Sequence, residues 1–259
     1  VVIFHIGGYH GGSFYDNINP APNDLTAAGF YVFSADYPLA PPNSIKGQPD
    51  QNTDPHSGRP PEQTRAVEAV IQAAINDSHC LNSEVGVLGG SAGASHAAFA
   101  ALDVTNTGLS WPFWAPNVRP NCFVCLSGQY DFAERDADVY TIDHFIHDIE
   151  NYTASANPVD QYAASPVALI PALVSSGPPL KPMYLFRSFD DSGSPASNSY
   201  YLWDDLTLAG FDQSLFRFWN TNSDHAFALW NDFTYDTDPE TDITVKDRVI
   251  WFFQQYLPN

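Results

Sequence analysis

Short apolar runs recur along this chain, and the stretches between them carry apolar residues at helical spacing. Six runs stand out: Val1 to Ile6, Phe30 to Ala35, Val85 to Leu88, Phe123 to Ser127, Met183 to Arg187 and Leu215 to Trp219. Runs that are apolar at consecutive positions suit strands covered on both faces, and the helical stretches supply the cover. The alternation therefore predicts a mostly parallel sheet with helices on both faces, an α/β fold. Two helices are marked clearly. In Glu62 to Ile75, which follows Pro60-Pro61, Ala66, Val67, Val70, Ile71 and Ala74 share one face, and Thr244 to Tyr256 closes the chain with a similar pattern. A length of 259 residues is enough for one large core, and no Pro/Gly/Ser-rich linker divides it, so residues 1–259 are expected to form a single domain.

Three stretches break the alternation. Pro41 to Pro61 is proline-rich and polar and reads as a long surface loop bordering a pocket. Tyr130 to Pro182 is too long for one crossover, which predicts a small cap insertion at about 131–180 with a short amphipathic helix at Tyr140 to Asn151. Asn231 to Asp242 is acidic, but its spacing is not that of a calcium loop, so a solvated loop is expected rather than a metal site.

Composition excludes several partners. Ten Lys and Arg stand against 30 Asp and Glu, a formal charge of −20, which opposes binding to nucleic-acid phosphates or anionic lipid surfaces. No run of about 18 apolar residues is present to span a membrane. Val1-Val2-Ile3-Phe4 reads as a buried strand from the first residue, so further chain is expected upstream. Of the three cysteines, Cys80 and Cys122 fall at one edge of the sheet if their strands are neighbours. A bridge there would favour a secreted or periplasmic protein, and free thiols a cytoplasmic one. Cys125 is expected to stay reduced in the core. The sequence carries no signal for a particular oligomeric state.

The chemistry centres on Ser91. It lies in Gly89-Gly90-Ser91-Ala92-Gly93, a G-x-S-x-G pentapeptide between an apolar run and the helix-prone stretch Ala94 to Leu102. A sharp strand-to-helix turn of this kind pushes a serine out as a nucleophile, and its glycines make room for the turn. A serine hydroxyl is a weak nucleophile, so it needs a general base, an orienting acid and donors for an oxyanion. Donors are offered by His5-Ile6-Gly7-Gly8-Tyr9-His10-Gly11-Gly12-Ser13 after the first strand; the same loop could cradle a phosphate, but it lacks G-x-G-x-x-G. Among eight histidines, His225 alone follows a late strand and precedes the last helix. His96, His144, His147, His56 and His79 read as surface or packing residues. Asp190 and Asp191 both follow the strand Met183 to Arg187, and spacing does not choose between them.

These residues, in this order, resemble the α/β-hydrolase fold, in the branch of hormone-sensitive-lipase-like and acetyl or feruloyl esterases. His5-Ile6-Gly7-Gly8-Tyr9 is similar to that branch's H-G-G-G-[FW] loop, with Ile6 in place of the first glycine. Asp36-Tyr37-Pro38-Leu39-Ala40-Pro41 resembles its D-Y-R-L-A-P segment, Gly90-Ser91-Ala92-Gly93 its elbow, and Ala164-Ser165-Pro166 the S-P after its cap. Laid on the pattern G-x-x-D-x-x-V-P, Pro182 to Pro195 puts Ser188 at the glycine and Asp191 at the acid. Asp224-His225-Ala226-Phe227 resembles G-H-G-F. By this resemblance the family's first strands would precede Val1.

The resemblance implies a serine carboxylesterase acting on small-molecule esters of short acyl groups, including acetylated or feruloylated carbohydrate. Its catalytic residues would be Ser91, His225 and Asp191, and the backbone NH groups of Gly7, Gly8 and Ala92 would form the oxyanion hole. No metal or organic cofactor is then needed. Tyr9, Phe14, Trp111, Trp114 and Trp203 are candidates to line a compact pocket. Two other readings are open: an amidase, since kynurenine formamidases share the glycine loop, the S-A-G elbow and a similar histidine motif, and a non-catalytic binding protein on the hydrolase fold.

Overall fold

The computed structural model describes residues 1–41, 58–103, 119–134, 142–176, 179–191, 193–222, 225–235 and 243–257. Most of the Pro41 to Pro61 loop, His56, Trp111, Trp114, the His144 side chain and the acidic run at 236–242 lie outside the described residues. In chain order the elements are β1 (Val2–Phe4), α1 (Ala21–Ala27), β2 (Phe33–Ala35), α2 (Glu62–Ile75), β3 (Gly86–Gly90), α3 (Ala92–Leu102), β4 (Cys122–Leu126), α4 (Ile142–Thr153), α5 (Pro158–Ala163), α6 (Ile170–Ser176), β5 (Met183–Ser188), α7 (Ala196–Leu208), β6 (Phe216–Thr221) and α8 (Val245–Tyr256).

The six strands form one sheet in the order β2-β1-β3-β4-β5-β6, and every pairing is parallel. Alternate residues of each strand enter different cores. Val2, Phe4, Val87, Phe123, Cys125, Met183, Leu185 and Phe216 pack on one face with residues of α2, α3, α4 and α7. Ile3, Leu88, Val124, Leu126, Tyr184, Phe186 and Trp219 pack on the other with residues of α1 and α8. Burial on both faces is why the strands read as continuous apolar runs rather than as an alternation.

All six apolar runs form strands, with ends that differ by a few residues. The largest difference is at Phe30 to Ala35, where only Phe33–Ala35 is strand. Helix α1 claims the residues before it: Gly29, at φ +97°, ends the helix, with Phe30 N–H donating to Leu25 O at 3.1 Å and Gly29 N–H to Thr26 O at 3.0 Å. This double hydrogen bond is a Schellman cap. Helix α8 starts one residue later than the apolar spacing predicts, because Thr244 is its cap and its Oγ1 accepts the Asp247 N–H at 3.1 Å. Residues between β4 and β5 hold α4, two residues on from its expected start and end, together with α5 and α6.

Topology decides where a site can form. From β1 the chain moves outward to β2, then crosses back to β3 on the other side of β1. The loops after β1 and β3 therefore leave the sheet in opposite directions and open a crevice at the carboxyl ends of the strands.

One polar group on α2 departs from its apolar neighbours. Glu68 is buried, and desolvation first, then the hydrogen bond and charge of Asp103, raise its carboxyl pKa far above the ordinary range, against a smaller opposing pull from Arg65. Asp103 also interacts with the half-buried Arg119. Folded Glu68 thus keeps a proton that the unfolded chain releases above its ordinary 4.5, so this group's contribution to stability falls as pH rises. Glu68→Gln is expected to flatten the decline of Tm between about pH 5 and pH 9. An equally steep decline in the variant, measured by thermal melts, would contradict this.

Candidate active site

Ser91 sits at a strained turn between β3 and α3, with φ 54° and ψ −122°, and is 4% exposed. Positive φ is costly for a residue with a Cβ and persists only where the surroundings enforce it. Here they do. A Cβ on Gly89 would lie 2.1 Å from Gly93 O, and one on Gly93 would lie 2.5 Å from Phe4 O and 2.6 Å from His5 O. The two flanking glycines let the first turn of α3 touch both β3 and the end of β1. Ser91 N–H donates to Leu126 O at 2.9 Å, so the turn is also tied to the neighbouring strand β4.

The glycine loop begins two residues after β1. His10 and Gly11 N–H both donate to Gly7 O, at 3.1 and 2.9 Å, and Gly7, Gly8 and Tyr9 all have positive φ. Ala92, the third expected donor, is the first residue of α3 and is buried. The D-Y-P-L-A-P segment props this loop: the Tyr37 ring stacks on His5 at 4.2 Å, its hydroxyl donates to His5 O at 3.1 Å, and Ala40 N–H donates to Tyr9 O at 2.7 Å. Burial lowers the His5 pKa, which favours the neutral ring, and Nδ1–H then donates to Ile6 O at 2.7 Å. Ile6 packs beside Gly90 in the α8-side core, which is how a side chain is accommodated where the resembled motif has glycine.

Asp191 and His225 meet. Nδ1 of His225 is 2.6 Å from Asp191 Oδ1, with side chains 16% and 2% exposed. The same carboxyl oxygen accepts from Gly193 N–H at 2.9 Å and Ser194 N–H at 2.7 Å, which fixes its direction. An acceptor there orients the ring with Nδ1 protonated and Nε2 free to accept. Asp190 is exposed, and its N–H donates to Ser188 Oγ at 3.1 Å. Ala226 N–H donates to Ser127 Oγ at 3.1 Å, one residue beyond Leu126, so the His225 loop and the Ser91 turn are both bound to the end of β4.

Several residues in this frame are not marked in the sequence. Gln63 sits on the buried side of α2, where its Nε2 donates to Tyr9 O and Gly58 O, both at 2.6 Å, and its Oε1 is 2.8 Å from His96 Nε2. His96 is the packing residue expected; burial pulls its pKa down to about 3, so it stays neutral and donates to Gln63. Ser95 Oγ receives the Tyr9 hydroxyl at 2.8 Å and Gln129 N–H at 3.1 Å, directly beneath the elbow. Capping and loop propping leave no apolar period, so only the position of Gln63 on a buried helix face could have signalled it.

Other expectations are corrected. Tyr9 does not line a pocket: it is fully buried, stacked on Tyr152 at 4.2 Å. Its hydroxyl partner and ring partners draw it inward, whereas Phe14 is exposed and Trp203 borders a groove of about 670 Å³ along β6 with Tyr200 and Phe218. Cys80 and Cys122 are free thiols, not a bridge, and Cys125 is a free, buried one. Cys80 Sγ instead donates to Glu84 O at 3.4 Å. Among the described residues no cluster of His, Cys, Asp and Glu could hold a metal ion, and no helix is long and apolar enough to cross a membrane.

The parallel sheet, the strand order and the elbow between β3 and α3 define an α/β-hydrolase fold. No family model and no curated protein sequence matches the chain. Solved structures do. An acetyl ester-xyloside bifunctional hydrolase from Caldicellulosiruptor lactoaceticus is 18% identical with a TM-score of 0.66, covering 98% of this chain and 82% of that one. A carboxyl esterase from the mycorrhizal fungus Tuber melanosporum is 16% identical with a TM-score of 0.68, covering 99% and 78%. A truncated carbohydrate esterase from gut microbiota is 15% identical with a TM-score of 0.69, covering 100% and 85%. At such identities the likeness establishes the shared fold.

Gly193 generates a test of the Asp191–His225 geometry. A Cβ there would lie 2.7 Å from His225 Nε2 and Cδ2, so Gly193→Ala is expected to displace the ring. The far-downfield proton resonance of His225 Nδ1–H should be lost while the fold persists, and fluorophosphonate labelling of Ser91 should slow at least ~10-fold. An unchanged resonance and labelling rate would contradict the arrangement.

Proposed function

We propose that the chain is a serine carboxylesterase of the hormone-sensitive-lipase-like kind, hydrolysing short-chain acyl esters that include acetylated or feruloylated carbohydrate. The observation that carries this reading is the 2.6 Å Asp191–His225 hydrogen bond at the same end of the sheet as the strained Ser91 turn. Support comes also from the solved structures that share the fold, several of which are esterases and some of which act on carbohydrate esters by their names. On this reading residues 1–259 are one hydrolase domain, with α4 to α6 as its small cap.

In the reaction, His225 Nε2 takes the proton of Ser91 Oγ as the oxygen attacks the ester carbonyl. Asp191 holds the ring and stabilises the imidazolium that results. The carbonyl oxygen, now an oxyanion, accepts from the backbone NH groups of Gly7, Gly8 and Ala92, donors fixed before the charge develops. As the intermediate collapses, the bond to the alcohol oxygen breaks and His225 returns its proton to that oxygen. Water then attacks the acyl-enzyme by the same route, giving the acid and regenerating Ser91. No step calls on a metal or an organic cofactor.

Ser91→Ala is expected to lower kcat for p-nitrophenyl acetate by at least ~10³ with the fold intact. Retained hydrolysis by the pure variant would sink the assignment. On a panel of graded acyl length that includes acetylated xylan and methyl ferulate, activity should be highest on short acyl groups. A maximum on long-chain triglycerides would refute that part of the proposal.

A further inference from the structure

The glycine loop holds a conformation that it does not favour by itself. Gly7 has φ +136°, Gly8 +57° and Tyr9 +69°, three consecutive residues in the positive region, and Tyr9 carries a Cβ. Such a turn needs contacts that over-determine it. From below, Tyr9 supplies them through Ser95, Gln63 and Ala40. From the other side they come from α4. The Asp148 carboxylate lies over Gly8, so close that a Cβ on Gly8 would be 2.3 Å from Oδ2 and 2.6 Å from Cγ. Its Oδ1 is 3.2 Å from His10 Nε2, and the two side chains are 14% and 8% exposed. Helix α4 is itself fixed, since Asn151 Nδ2 donates to Pro41 O at 2.9 Å, Arg59 Nη1 donates to Asn151 O, and Tyr152 stacks on Tyr9.

We propose that Asp148 and His10 form a clamp that holds the oxyanion turn against helix α4, with Asp148 as a positioning residue for ester hydrolysis; this rests on the esterase reading above. Asp148 acts here through Gly8 and His10 rather than on the substrate. Its place beside Gly8, together with its bond to His10 two residues further on, keeps the Gly7 and Gly8 NH groups facing one point. Oxyanion donors act only when they are aimed before the charge appears, and a misplacement of about 1 Å costs on the order of 10²-fold in rate. A negative charge beside the donors does nothing to stabilise an oxyanion, so the clamp works through shape and hydrogen bonding, and a neutral isostere should serve.

Asp148→Asn keeps the acceptor for His10 and should retain kcat on p-nitrophenyl acetate within about threefold, while Asp148→Ala should lose at least ~10-fold in kcat with KM changed less than about threefold. In a double-mutant cycle, His10→Ala added to Asp148→Ala should cost little more, because the pair acts as a unit. Hydrogen exchange of amides in residues 7–12 should quicken in Asp148→Ala and stay near wild type in Asp148→Asn. Equal loss in the Asn and Ala variants, a loss confined to KM, or faster exchange with unchanged kcat would each overturn the positioning role. Should the wild-type enzyme hydrolyse no ester, the esterase reading fails, while the exchange measurement still decides whether the clamp exists.

Discussion

The first turn of α3 lies against the end of β1, and much of the rest follows from that contact. It exists because Gly89 and Gly93 have no Cβ: a methyl group at Gly93 would meet the carbonyl oxygens of Phe4 and His5 within 2.6 Å. Close approach sets the angle of α3, holds Ser91 at φ 54°, and brings the loop after β1 beside the Ser91 turn. Seven of the eleven residues of α3 are alanine or glycine, with Ala92, Ala94, Ala97, Ala98, Ala100 and Ala101 buried, so the helix sits deep between the sheet and its neighbours without crowding them. The strain at one residue is thus balanced by packing along eleven.

The two halves of the site are built differently. On the Ser91 side, backbone meets backbone, and hydrogen bonds from buried polar side chains fill the remaining space: Tyr9 to Ser95, Gln63 to Tyr9, His96 to Gln63. Each of these groups would be costly to bury alone, and each finds a partner in the next, with only Nδ1 of His96 left without one among these bonds. On the Asp191 and His225 side, two loops from β5 and β6 are joined by one short hydrogen bond, and Gly193 and Ser194 aim the carboxylate. Both halves are secured to the end of β4, through Leu126 and Ser127. That common attachment is what lets loops from three strands keep a fixed relation.

Much of the fold was legible because burial on both faces leaves an unmixed apolar signature. Each of the six runs is a strand, and α2 has the very bounds its periodicity gives. Helices α1 and α7 were less visible, since their apolar stripes are short, yet both end in Schellman caps at Gly29 and Gly210 that a search for helix-ending glycines would find. The bridge between Cys80 and Cys122 was plausible from strand neighbourhood, which the pairing of β3 with β4 bears out, but adjacency of strands does not set the direction of a side chain. An aromatic residue near a glycine loop can face either way, and what turns Tyr9 inward is hydroxyl and ring partners that lie eighty or more residues further along the chain.

The sequence by itself determined the parallel α/β architecture, the glycine-flanked Ser91 turn after β3, and the order in which Ser91, Asp191 and His225 follow their strands. These are local properties, written in periodicity and in residues whose steric demands are met within a few positions. Tertiary structure alone decided that Tyr9 turns inward and that α4 sets Asp148 over Gly8 beside His10, while the acid that spacing left open and the family resemblance put at Asp191 is the one that meets His225. Those outcomes depend on how segments far apart in the chain pack against one another. No window of sequence holds both partners, so such contacts are made only when the strands and helices are assembled.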